Sequence, residues 1–156
     1  MRPNLLFAVA ALASLNLASA PADDIANKQT AARVLTEKLG QGDFSKLDEI
    51  YGPDFVAHNG GQSFSLEQDN ASTAALRKAV PDMKVTVERV VSEEDIVAVY
   101  WSASGTNTSA AAGMPGLGKR GSVQGMVFFR FANGKIVEEW SVTDMLMLMR
   151  QLDMMP

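Results

Sequence analysis

RFANGKIVEEWSVTDMLMLMRQL, residues 130–152, carries a turn, an alternating strand and an apolar helix in immediate succession. Asn133-Gly134 is the dipeptide that best favours a type I′ hairpin turn, because both central positions of that turn need positive φ. The run therefore predicts an antiparallel hairpin with arms at 120–131 and 135–143. Beyond the turn, Ile136, Glu138, Trp140, Val142 and Asp144 share one parity, and on a pleated strand residues of one parity point to one side. Asp144 stands last in that row, just before the apolar stretch 145–152, which reads as a closing helix. A carboxylate there has two uses. It can be an N-cap that accepts the first free helical N–H groups, the commonest role of Asp at such a position. It can also be an acid/base group at the end of an aromatic-bearing face.

Upstream of the hairpin the pattern stays strand-like. Val85, Val87 and Val91 alternate with Thr86, Glu88 and Val90, and residues 96–104 are rich in β-branched and aromatic side chains, with Glu93-Glu94-Asp95 as the turn between them. Residues 105–119 form a loop of Gly, Ala, Ser and Pro. The first half reads differently. Residues 24–39 carry Ile25, Ala32, Leu35 and Leu39 near a helical period, with Asp23 and Asp24 at the start and Gly40 at the end. A second, shorter helix follows from Asp43 to Tyr51 and stops at Gly52-Pro53. FVAHNGG, residues 55–61, is a short strand or extended arm, and residues 66–80 are a third helix ended by Pro81. Helices followed by a four-stranded meander place the chain in the α+β class, with helices on one face of a curved sheet.

The first 22 residues, MRPNLLFAVAALASLNLASAPA, have the order of a secretory signal peptide: Arg2, an apolar run from Leu5 to Leu17, then small residues. Cleavage after Ala20 or Ala22 fits the small-x-small rule, and Ala22 avoids a proline beside the scissile bond. The expected mature protein is a single domain, residues 23–156, with a periplasmic or secreted location and no membrane association once the signal is removed. The apolar run is shorter than the roughly 20 residues of a spanning helix. Losing Arg2 leaves 13 basic against 18 acidic side chains and no basic cluster with interleaved aromatics, which argues against a nucleic-acid partner. The chain has no Cys and one His, so disulfides, thiolate sites and a dedicated transition-metal site are not expected.

A curved sheet covered by helices encloses a cavity between the layers, the usual setting of a small-molecule site. Its candidate lining is Trp101, Phe129 and Trp140, with Met114 from the loop and Met145 or Met149 from the last helix; each is also an ordinary core residue.

Five strings carry a resemblance: YGPDFVAHN (51–59), VPDMKVTVERVVSEEDIVAVYWSASGT (80–106), GMPGLGKR (113–120), GMVFFRFANGKIVEEWSVTD (125–144) and RQL (150–152). In this order and spacing the chain resembles the SnoaL-like polyketide cyclase or ester cyclase family of the NTF2-like superfamily. The resemblance implies an NTF2-like cone, with three N-terminal helices on a curved antiparallel sheet and a short C-terminal helix. It implies ring closure by intramolecular aldol condensation in a pocket without metal or cofactor. It also implies an acid/base Asp near the end of the last strand, which Asp144 matches. His58, in the family's PDF-x-x-H string, becomes a second catalytic candidate as a donor to a substrate carbonyl.

Where relatives commonly read Gly-Thr-His this chain has Gly105-Thr106-Asn107, and Asn can hydrogen-bond but cannot exchange a proton near neutral pH. Asn107 is therefore a binding candidate beside Trp101, Met114, Phe129 and Trp140. The expected partner is a small apolar or aromatic carbonyl compound, either cyclised or isomerised by Asp144 or merely captured by a periplasmic binding protein. A homodimer through the outer face of the sheet follows from the Phe and Val content of strand 120–131.

Overall fold

A computed structural model of the protein describes residues 21–111 and 113–155. The expected signal segment, apart from its last two residues, lies outside them. Helix α1, Pro21–Arg33, continues into a π-helical turn, Val34–Leu39, and a short helix α2, Leu47–Ile50, follows. Strands β1, Tyr51–Asn59, and β2, Gln62–Ser65, lead into helix α3, Leu66–Ala79. The meander is β3, Lys84–Glu93; β4, Ile96–Asn107; β5, Lys119–Ala132; and β6, Lys135–Thr143, closed by helix α4, Met145–Gln151. Among the described residues no helix is long and apolar enough to cross a membrane.

The α+β class and the curved sheet under helices are as expected, with two differences. The sheet has six strands in the order β2-β1-β6-β5-β4-β3, because β1 pairs in parallel with β6 and carries β2 at the edge. The parallel partner lies some 80 residues away, so no local pattern announces it. Helix α2 is one turn long, because Tyr51, read as its last apolar residue, instead opens β1.

Local signals account for the remaining boundaries. Asn133 and Gly134 take φ of 52° and 73°, the double positive φ of a tight hairpin turn. Ser65 and Gln68 form a reciprocal capping box at the start of α3. The core lies on the concave face of the sheet. Val97, Val99, Phe129 and Ile136 are fully buried there, packed with Tyr51 and Phe55 of β1 and with Ala31, Val34 and Leu35 of the first helix.

The hairpin β5–β6 holds one irregularity that shapes everything inward of it. Phe131 pairs with Ile136 and Arg130 with Glu138, so Val137 is an extra residue with no partner of its own, a β-bulge. One inserted residue exchanges the two faces of the strand beyond it. Ile136 is buried in the core, whereas Glu138, Trp140 and Val142 turn to the outer face and Glu139, Ser141 and Thr143 turn inward. The single-face row read from the sequence is therefore split in two.

Candidate functional site

The concave face opens at one end into a cavity of about 390 Å³ between the end of α3, strands β4 and β5, and helix α4. Its walls are mainly apolar: Leu76 of α3 and the following Val80, Met83, Trp101, Met114, and Met145 with Leu148 from α4. Trp101 is held by shape. A Cβ at Gly125, its cross-strand partner, would come within 2.5 Å of the Trp101 ring, so only glycine lets the indole lie flat there. Helix α4 is tied over the opening. The Gln151 side chain accepts from the Ser122 backbone N–H and donates to the Ser122 carbonyl, and Lys119 donates to the Leu152 carbonyl.

Asn107 is the last residue of β4, at the cavity wall, and is 5 % exposed. Its Oδ1 accepts from the Leu117 backbone N–H at 3.1 Å, which fixes the orientation of the amide. The other end, Nδ2, is buried without a hydrogen-bond partner. A buried amide donor left unpaired costs about 1–3 kcal/mol of desolvation, which a ligand acceptor recovers.

Of the residues singled out from sequence, Trp101, Asn107 and Met114 come together at this cavity. Phe129 does not line it: it is fully buried in the core. Trp140 lies on the outer face, stacked on His58 with ring centroids 5.5 Å apart and planes 16° from parallel. The bulge at Val137 is the reason, since it moves Trp140 off the face occupied by Ile136. His58 is the register partner of Trp140 and follows it outward. Its Nε2 lies 2.9 Å from Glu138 Oε1 and its Nδ1 3.1 Å from Ser63 Oγ. Arg130 donates to the same Glu138 at 2.7 Å and 2.9 Å, and with His58 it holds that carboxyl below its usual range.

Asp144 takes the other of its two uses. Its Oδ1 accepts from the Met147 backbone N–H at 2.9 Å as the N-cap of α4, and the side chain is exposed. Its neighbours Thr143 and Met145 line the cavity, and Asp144 does not. Beyond the bulge the parity of Glu138, Trp140 and Val142 points outward, and Asp144, one residue past the end of β6 at Thr143, stays on that outer side. Replacing Asp144 by Ala is expected to cost about 1 kcal/mol of stability and Asp144→Asn to leave it nearly unchanged, since Asn caps as well as Asp. Thermal unfolding of both variants checks this; equal losses would refute the cap.

The inward turn of β6 brings a residue that sequence reasoning passed over. Glu139 sits between Ala57 of β1 and Phe129 of β5, both buried. Near it, Lys38 of the π-helical turn is 4 % exposed and donates to Tyr51 Oη at 3.1 Å and to Asp69 Oδ2 at 2.5 Å. Burial pushes the Glu139 carboxyl up to about 7, with the Asp69 charge adding to the rise and Lys38 opposing it. Tyr51 is raised well above its ordinary value, chiefly by burial. The signal was present in the Glu138-Glu139 pair, but its meaning depends on the bulge. Among the described residues no three His, Asp or Glu side chains gather at metal-binding spacing.

A family model of SnoaL-like polyketide cyclases matches residues 29–152, nearly the whole described fold. The chain belongs to the SnoaL-like polyketide cyclase family. Solved structures agree. AclR, a candidate hydroxylase from Streptomyces galilaeus, is 26% identical with a TM-score of 0.75, covering 85% of this chain and 99% of its own. A SnoaL-like candidate polyketide cyclase from Jannaschia sp. CCS1 is 26% identical with a TM-score of 0.75, covering 88% of this chain and 97% of its own. IdmH, a candidate polyketide cyclase from Streptomyces antibioticus, is 27% identical with a TM-score of 0.70, covering 81% and 98%. No curated protein matches the chain in sequence. The NTF2-like cone inferred from the sequence is thus the fold of this chain, a frame shared by a candidate hydroxylase and candidate polyketide cyclases.

Proposed function

We propose that this chain binds a small, mainly apolar carbonyl compound in the cavity beside Trp101 and acts on it as a cyclase or isomerase, by proton transfer next to the carbonyl. The observation that carries this reading is the unpaired, buried Asn107 Nδ2 at the wall of a mainly apolar cavity. Such a donor supports a ligand that is apolar over most of its surface and offers one acceptor oxygen. Membership of a family with polyketide cyclases supports the reaction class.

The test compares 2-acetylnaphthalene with 2-ethylnaphthalene, which differ by the carbonyl oxygen alone. Wild-type protein is expected to prefer the ketone by about tenfold, the worth of one buried hydrogen bond. Asn107→Leu is expected to lose that preference while keeping the affinity for the hydrocarbon. Equal binding of the two probes by the wild type, measured by quenching of Trp fluorescence, would sink the reading.

Simple capture of the same ligand without turnover is the second reading. The exposed position of Asp144 and the outward position of His58 favour it, since neither group reaches the cavity in this arrangement.

We further propose that the outer face of the sheet pairs with a second copy of the chain. Val91, Met126, Phe128 and Val142 are between 43 % and 71 % exposed on it, with Trp140 beside them, and an apolar patch of this kind marks an interface. Light scattering is expected to give twice the chain mass, and Phe128→Glu the single mass; a monomeric wild type at micromolar concentration would contradict this.

A further inference from the structure

We propose that Glu139 is the carboxyl that exchanges a proton with the compound held in the cavity, and that Asp69, Lys38 and Tyr51 position it. This rests on the cyclase or isomerase reading and supplies the acid/base group that Asp144 and His58 do not provide from where they stand.

Beyond the bulge, Glu139, Ser141 and Thr143 form one inward row, and Thr143 is already a wall of the cavity. Asn59, another wall residue, is the register partner of Ser141, and Ala57 is that of Glu139. Glu139 thus lies one step of two residues, about 7 Å, further along the sheet than the cavity wall at Asn59. Leu39, adjacent to Lys38, is part of the same wall. Glu139 is only half-buried although Ala57 and Phe129 on either side are buried. Glu139 is not itself a wall of the cavity: it faces the concave interior one step behind the wall at Asn59 and Leu39, so the compound reaches it by extending past those two residues.

Three other elements surround it with ionisable groups. Asp69 comes from α3, Tyr51 from β1, and Lys38 from the π-helical turn. A π-helical segment is uncommon in helices and recurs at functional sites. Here it places an ammonium group in the interior, where Tyr51 and Asp69 take it up. Asp69 and Lys38 largely offset each other, which leaves Glu139 as the carboxyl without a counter-charge of its own. Burial chiefly, with the Asp69 charge adding to it, raises its proton affinity toward neutral pH and suits it to both accept and return a proton.

The step balances within the ligand and this one side chain. Glu139 carboxylate takes the proton from the carbon next to the ligand carbonyl, and the C–H electron pair moves into an enolate. In isomerisation the resulting carboxylic acid returns the proton to a different carbon. In ring closure the enolate carbon bonds to a second carbonyl carbon of the same molecule, and the acid protonates the new alkoxide. Either way Glu139 ends as it began.

The test uses 5-nitrobenzisoxazole, a flat aromatic carbon acid from which a base removes one proton while the N–O bond breaks, releasing a coloured cyanonitrophenolate. Binding of the probe is followed by Trp fluorescence and release of phenolate by absorbance, from pH 5 to 9. Wild-type turnover is expected to rise with pH through the titration of one group. Glu139→Gln, which keeps the volume of the side chain, is expected to lose about a hundredfold in rate while still binding the probe. Glu139→Asp should recover part of the rate, and Asp69→Asn should move the pH profile to lower values, a change a purely structural Asp69 would not cause. Asp144→Asn should turn over at the wild-type rate. Binding with no Glu139-dependent turnover overturns this proposal alone; failure of the wild type to bind the probe overturns the cavity reading and this proposal with it.

Discussion

Phe129→Ala is expected to lower the unfolding free energy by about 3–5 kcal/mol, the range for removing a fully buried aromatic ring. Phe129 has no exposed surface, and its register partners are Val97 of β4 and Glu139 of β6, so its ring fills the middle of the concave face. The surrounding positions come from paired strands, which cannot close in on the space without breaking ladder bonds, and the cost therefore falls toward the upper part of that range. Read from the sequence, Phe129 was a candidate wall of the ligand cavity. A wall residue would behave differently: truncation would enlarge the cavity, cost little stability and shift ligand preference toward bulkier compounds. Denaturant unfolding decides between the two. A midpoint close to wild type, together with tighter binding of a larger aromatic ketone, would return Phe129 to the ligand site. The same experiment bears on Glu139, because the lost ring would open a void beside that carboxyl and let water reach it.

Much of the frame was legible in the chain because local chemistry wrote it. Asn133-Gly134 set a hairpin whose second arm was placed at 135–143, and β6 is Lys135–Thr143. Valine alternation set β3, and the Pro81 stop ended α3. What local chemistry could not supply was pairing at a distance and the side toward which a strand faces. The parallel contact of β1 with β6 joins segments far apart in sequence, and the bulge at Val137 depends on how β6 meets Arg130 and Phe131. That one residue explains most of the misplaced side chains. It sends Trp140 outward onto His58 and brings Glu139 inward, so a face assigned by strict alternation from Ile136 was wrong for every later position. Asn107, Trp101 and Met114 do line the cavity, and they sit on or beside β4, which runs without interruption against β5 from Ile96 to Asn107.

The protein is expected to lose stability as pH rises from about 4.5 to about 7, and Glu139→Gln to remove most of that loss. The carboxyl of Glu139 is raised from an ordinary 4.5 to about 7 in the folded chain. Between those values the folded state holds a proton that the unfolded state has released, so the folded state binds more protons and stability falls with increasing pH. Below 4.5 both states are protonated and the stabilising effect is whole; above 7 both are ionised and it is gone. A shift of this size corresponds to at most about 3 kcal/mol, since one pKa unit is worth about 1.4 kcal/mol. For a domain of this size that amounts to a fall in melting temperature on the order of 10 °C. The surface carboxylates act in the opposite sense and at lower pH. Glu138, held down by Arg130 and His58, and Asp82, held down by the Thr106 backbone N–H and hydroxyl, contribute stability that is lost as pH falls through their depressed values. The two effects bracket a stability maximum on the mildly acidic side of neutrality. In Glu139→Gln the neutral amide keeps the shape of the protonated acid, so the variant should match wild type near pH 5, exceed it at pH 8, and melt at nearly constant temperature between. A wild-type melting temperature that stays level or climbs from pH 5 to pH 8, or a variant that falls as steeply as the parent, would show that Glu139 is charged in the folded chain at low pH. It would then be a conventional ion-pair partner of Lys38, not an acid poised to exchange its proton.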